Sequence, residues 1–151
     1  MKLALSVNGA ATSWSCPTLS SVLDLLRETG ETMPEPCAEG RCGACAVLLR
    51  GQVVNACVVP AHQAQGKELL TAAGLGEAGQ RMVAVLAEHG ACACGVCRDG
   101  TLMVLEELRR RDQVPDESTL REALAATRCG CGTYPAMLAA AKEVLGVDER
   151  R

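Results

Sequence analysis

Phenylalanine is absent from this chain, and tryptophan and tyrosine occur once each, as Trp14 and Tyr134, among 151 residues. Almost nothing is available to stack on nucleic-acid bases. Lys and Arg (15) do not outnumber Asp and Glu (18), so nucleic-acid binding has no support. The one basic run, Arg109 to Arg111, reads as a solvated helix face, with docking to an acidic partner as the other reading. No apolar run approaches the roughly 18 residues that a membrane span needs. Met1 to Gly9 also lacks the charged segment, apolar stretch and small-residue cleavage site of a secretory leader, so a cytoplasmic, reducing setting is the expectation. No Ser–His–Asp arrangement, phosphate loop or carboxylate pair stands out, and no small-molecule substrate site is expected. Without large aromatic side chains the core must be built from Ala, Val, Leu and Met. Small cores of that kind need a staple.

Cysteine supplies the staple. There are 10, at Cys16, Cys37, Cys42, Cys45, Cys57, Cys92, Cys94, Cys97, Cys129 and Cys131. In a reducing compartment clustered cysteines point to metal rather than to disulfides. Cys37, Cys42, Cys45 and Cys57 follow the spacing C-x4-C-x2-C-x11-C, which is the plant-type 2Fe–2S signature. Three ligands within nine residues wrap a dinuclear cluster better than one ion, whereas zinc sites favour two compact knuckles. Two ferric ions, two sulfides and four thiolates carry a charge of about −2, which becomes about −3 on reduction. Donors should therefore point at the sulfurs. Gly40 and Gly43 free the backbone to aim amides inward, and Arg41 is a candidate nearby cation.

The second quartet, Cys94, Cys97, Cys129 and Cys131, reads C-x2-C-x31-C-x-C. On spacing alone both an iron–sulfur cluster and a zinc ion remain open for it. A dinuclear reading would put Cys94 and Cys97 on one iron and Cys129 and Cys131 on the other. Cys16 and Cys92 fall outside both quartets and read as buried thiols, although Cys92, two residues before Cys94, is a conceivable substitute ligand. His62 and His89 lack ligand spacing. Tyr134 and Trp14 read as packing residues, and Glu106-Glu107 as a solvated helix face.

Patterning divides the chain in two. Strands are expected at Leu3 to Val7, Ala11 to Ser15, Ala46 to Leu49 and Val53 to Val59, with a hairpin turn at Asn8-Gly9. Between them a helix capped by Thr18 or Ser20 places Leu19, Val22, Leu23 and Leu26 on one face and ends at Gly30. Composition shifts to Ala and Gly between Ala72 and Gly79. Four helical faces follow: Met82, Val85 and Leu86; Leu102, Leu105 and Leu108; Leu120 and Leu124 after a cap at Asp116 or Ser118; and Met137, Leu138, Ala141 and Leu145 after Pro135.

Val7-Asn8-Gly9, C-A-E-G-R-C-G-A-C-A-V from Cys37 to Val47, V-N-A-C ending at Cys57, C-G-V-C from Cys94, Gly100, and C-G-C followed by Tyr134 occur in this order over nearly the whole chain. In that order the chain resembles the small subunit of the xanthine oxidase family of molybdenum hydroxylases. The resemblance implies an α+β protein: a plant-ferredoxin-like β-grasp domain (residues 1–74) followed by a four-helix 2Fe–2S domain (residues 75–151). One 2Fe–2S cluster would sit on Cys37, Cys42, Cys45 and Cys57, and the other on Cys94, Cys97, Cys129 and Cys131. It further implies a large subunit carrying molybdopterin, an FAD subunit, and electron relay from molybdenum to flavin with the helical-domain cluster nearer molybdenum. The chain departs from the pattern at three places. Ala93 stands where the family usually has a pterin-contacting Gln, Arg98-Asp99-Gly100 stands for T-P-G, and C-G-C-G-T-Y stands for C-R-C-T-G-Y. These departures motivate the alternative of an electron-transfer subunit for a flavin oxidoreductase without molybdenum. A structural zinc module is the remaining rival.

Overall fold

A computed structural model describes residues 1–34 and 36–147. The fold is α+β. A five-stranded mixed sheet is formed by β1 (Lys2–Val7), β2 (Ala10–Ser15), β3 (Ala46–Leu49), β4 (Gln52–Asn55) and β5 (Glu68–Leu70), in the order β2-β1-β5-β3-β4. β1 and β2 form the expected hairpin, with Lys2 opposite Ser15 and Val7 opposite Ala10. Its turn puts Asn8 and Gly9 at positive φ, as an Asn-Gly turn requires. β5 runs parallel to β1 and antiparallel to β3, so it joins the two hairpins. The patterning had not revealed this strand. The expected strand over Val53 to Val59 ends at Asn55, and the chain then turns through Ala56 to Val58.

Helix α1 (Val22–Glu28) covers one face of the sheet. Its cap is Ser21 rather than Thr18 or Ser20. Asp24 N donates to Ser21 Oγ (3.2 Å) and Ser21 N donates to Asp24 Oδ2 (2.8 Å), a reciprocal capping box. Leu19, expected on the buried face, precedes the helix and is 97% exposed. The first turn of α1 also donates Val22 N to Val59 O and Leu23 N to Ala56 O, which fixes the segment around Cys57.

All four residues of β3 are buried, because it is covered on both sides. Val47 and Leu49 face α1. Ala46 and Leu48 face Met103, fully buried on α3 (Arg98–Arg109). Burying a side chain of that size stabilises by about 2 kcal/mol. The second half adds α2 (Gly76–Glu88), α4 (Glu117–Leu124) and α5 (Tyr134–Leu145), which with α3 enclose Met82, Leu86, Leu105, Leu120 and Met137. Asp116, one of the two expected caps, caps α4 by accepting from Thr119 N at 2.8 Å.

One polar feature differs from expectation. Glu106 is 2% exposed, not solvated, and takes Arg109 (2.7 and 2.9 Å) and Arg110 (2.7 Å) on its carboxylate. The arginine run folds back onto its own helix because positions i+3 and i+4 share a face. At the junction of the halves, Thr71 N donates to Asn8 Oδ1 (2.9 Å), and Asn8 Nδ2 donates to Thr71 Oγ1 (2.9 Å) and Glu31 Oε1 (3.1 Å).

Candidate iron–sulfur centres

The first quartet converges from a loop and a strand end. Residues 36–45 lie between α1 and β3, and Cys57 follows β4. Ala38, Gly40 and Gly43 take positive φ, which turns successive amides to the inside of the loop. Glu39 N and Cys42 N donate to Cys37 Sγ, each at 3.4 Å, and Gly40 N donates to Cys57 Sγ at 3.2 Å. Asn55 Nδ2 pins the loop by donating to Gly40 O at 2.9 Å. Cys37 Sγ lies 3.2 Å from Cys42 Sγ, and Cys45 lies beside Cys57. Arg41 does not reach a sulfur; its guanidinium meets the exposed Glu39 carboxylate at 2.6 Å.

These surroundings separate the acidities of the thiols. The Glu39 amide, then Cys42, holds the Cys37 thiol down at about 6. Burial pushes Cys45 up to about 11 and raises Cys42.

The second quartet sits between helices. Cys94 and Cys97 lie between α2 and α3, with Cys97 at the cap of α3. Cys129 and Cys131 lie between α4 and α5. Cys94 lies beside Cys131, both exposed, and the buried Cys97 lies beside Cys92 and Cys129. Burial works against ionisation of Cys129, but the Thr133 hydroxyl and backbone outweigh it and bring the thiol down to about 7. Burial raises Cys97, and contact with Cys92 raises it further.

Several residues that spacing did not single out shape this site. Tyr134 Oη accepts from Cys129 N (2.9 Å) and donates to Thr127 O (3.0 Å), bracing the loop before α5. Thr133 Oγ1 accepts from Cys92 N at 3.2 Å and lies 3.2 Å from Cys129 Sγ. Cys92 is buried beside Cys97, with its sulfur 3.7 Å from Thr101 Oγ1. Cys16 is buried in the core against α1. His62 lies in a short 3-10 helix, and His89 faces Glu143 at 2.7 Å, so neither joins a quartet.

The two loops touch. Arg128 N donates to Cys42 O at 2.8 Å, joining a residue of one quartet to the neighbour of Cys129 in the other. A Cβ on Gly43 would lie 2.3 Å from Ala126 O, and one on Gly100 would lie 2.2 Å from Gly43 O, so only glycine fits at either position. Beside them a space of about 130 Å³ is lined by Gly43, Asn55, Ala126 and Thr127. The buried Thr127 hydroxyl has no hydrogen-bond partner among the described residues.

All ten cysteines are free thiols. Among the described residues no group of three or more His, Cys, Asp or Glu side chains is arranged to hold a single metal ion. The sulfurs come in pairs, and paired thiolates facing amide donors are what each iron of a dinuclear cluster requires, so the residues present fit that group.

Comparison with known proteins finds two matching family models. Residues 5–74 match the model of the 2Fe-2S iron-sulfur cluster binding domain, and residues 71–142 that of the [2Fe-2S] binding domain. The chain is 33% identical to the Escherichia coli K12 aldehyde oxidoreductase iron-sulfur-binding subunit PaoA, over 97% of this chain and 72% of that one. It is 34% identical to the nicotinate dehydrogenase small FeS subunit of Eubacterium barkeri, over 86% and 85%. Among solved structures, quinoline 2-oxidoreductase from Pseudomonas putida 86 superposes with a TM-score of 0.86 at 27% identity, covering 97% of this chain and 94% of that chain.

Proposed function

The chain belongs to the family of 2Fe–2S iron–sulfur subunits of oxidoreductases, and from that premise we propose that it carries two clusters and relays electrons within a molybdenum-containing hydroxylase. Cys37, Cys42, Cys45 and Cys57 hold one cluster in a plant-ferredoxin-like β-grasp domain (residues 1–74). Cys94, Cys97, Cys129 and Cys131 hold the other in a four-helix domain (residues 75–151). A 2Fe–2S cluster, when bound, supplies one-electron transfer. The chain's own part is to present thiolates, aim amides at them and limit water. Glu39, Gly40 and Cys42 amides donate to sulfur in the first site, where they favour added negative charge.

One observation carries the relay: Arg128 N bonded to Cys42 O ties the two sites through a single backbone hydrogen bond. The exposed Cys94 and Cys131 suit the second site to face the molybdopterin subunit, with electrons leaving through the first site toward an FAD subunit. Ten free thiols fit a reducing cytoplasm. No helix among the described residues is long and apolar enough to cross a membrane.

Isolating the native complex without oxygen and counting iron, sulfide, molybdenum and flavin tests this reading. Four irons per chain with molybdenum in the complex are expected. A colourless protein with stoichiometric zinc would sink it. Flavin without molybdenum would shift the chain to the alternative of a molybdenum-free flavin oxidoreductase, which the exposed Ala93, unable to hydrogen-bond a pterin through its side chain, favours.

A further inference from the structure

We propose that Thr133 is a positioning residue that sets the reduction potential of the second centre by donating its hydroxyl hydrogen to Cys129 Sγ. The proposal rests on Cys129 being a cluster ligand, as argued above.

The geometry assigns the hydrogen. Thr133 Oγ1 lies 3.2 Å from Cys129 Sγ and 3.2 Å from Cys92 N. Cys92 N can only donate, so it occupies a lone pair of the hydroxyl oxygen. A ligating thiolate can only accept, so the hydroxyl hydrogen points at sulfur. A one-way chain results, from the Cys92 amide through the Thr133 hydroxyl to the Cys129 sulfur.

Position makes this arrangement unusual. Thr133 is the residue before helix α5, where a threonine side chain ordinarily accepts from an amide of the first turn. Here it makes no capping hydrogen bond. Pro135 has already removed one of the amides it could have served. The side chain is directed at the sulfur instead. Cys92, held at φ 53, turns its amide to the same hydroxyl and fixes the rotor. The backbone strain at Cys92 therefore falls on the residue that orients the donor.

Reduction adds negative charge, which spreads onto the ligand sulfurs. A donor to sulfur favours the reduced form and raises the potential. Thr133→Val keeps the shape and removes the hydrogen, whereas Thr133→Ser keeps the hydrogen. In the intact complex, EPR-monitored redox titration should show the second centre of T133V harder to reduce. The expected shift is roughly tenfold in the reduced-to-oxidised ratio at a fixed potential, about 59 mV for one electron. The first centre should stay unmoved, and T133S should titrate as wild type. A general loosening of the fold would move both centres, and the deuterium measurement below separates donation to sulfur from the contact with the Cys92 amide.

A second measurement needs no variant. Rapid mixing of reduced wild type into D2O, followed by deuterium ENDOR, should find a coupled deuteron at the second centre before buried amides exchange. An unshifted second centre in iron-replete T133V, or no fast-exchanging deuteron in wild type, would overturn the proposal. The cluster reading fails separately, if wild type shows only one iron–sulfur signal.

Discussion

Acidity differences among the thiols are set residue by residue. In metal-free protein Cys37, held at about 6 by amide donors, is mostly thiolate at neutral pH, while Cys45, pushed to about 11 by burial, is not. Iodoacetamide at pH 7 should therefore label Cys37 ahead of Cys45, with a rate that falls as pH drops through about 6. Peptide mass mapping against time and pH checks the order, and equal labelling of the two would contradict it. Tyr134 is the other residue with a local consequence. Tyr134→Phe leaves Cys129 N and Thr127 O without their shared partner. A loss of about 1–2 kcal/mol in urea unfolding of the reduced, metal-free chain is expected.

At the scale of elements, α3 depends on one buried carboxylate. Burial alone would raise the Glu106 pKa, but the guanidiniums of Arg109 and Arg110 outweigh it and hold it below its usual 4.5. A group whose folded pKa is depressed stabilises fully above its unfolded pKa and ceases to do so as pH falls through the folded value. Stability should thus decline on acidification below about pH 4.5, and the part due to this group should vanish in Glu106→Gln. That variant should cost about 2 kcal/mol at pH 7, because both arginines lose a charged acceptor. Denaturation followed against pH in both proteins measures it. None of this was visible in the sequence, where Glu106-Glu107 has the look of any exposed pair. Its burial follows from where α3 sits in the fold, which no local pattern shows. β5 was hidden for a related reason: Glu68–Leu70 is too short for periodicity and exists by pairing with β1 and β3. The C-x4-C-x2-C loop of the first quartet and the helical faces of the second half were legible because each is local. The pairing of sulfurs across loops was not, since it depends on the direction from which two distant segments meet.

Across the whole molecule, the halves meet backbone to backbone. Gly100→Ala would put a methyl 2.2 Å from Gly43 O, and a carbonyl in a tight loop cannot yield as a side chain can. Thermal unfolding should show a loss of about 1–3 kcal/mol. Gly130→Ala, between two cysteines but with nothing within 4 Å of its new methyl, should be near neutral. If both behaved alike, close approach of the halves would not be what selects glycine at position 100.

The same contact bears on how such a molecule is built. Ala126 and Thr127 close over Gly43, Cys42 and Cys45 are buried, and Cys94 and Cys131 remain open to solvent. Each site sets two buried cysteines behind two that solvent reaches, Cys37 and Cys57 only in part and Cys94 and Cys131 freely. Reduced chain folded first and given iron and sulfide afterwards should fill its helical site, whose outer pair is open, sooner than its N-terminal site, whose outer pair is half covered. Supplying both from the start should erase the lag, which Mössbauer sampling with iron-57 would time.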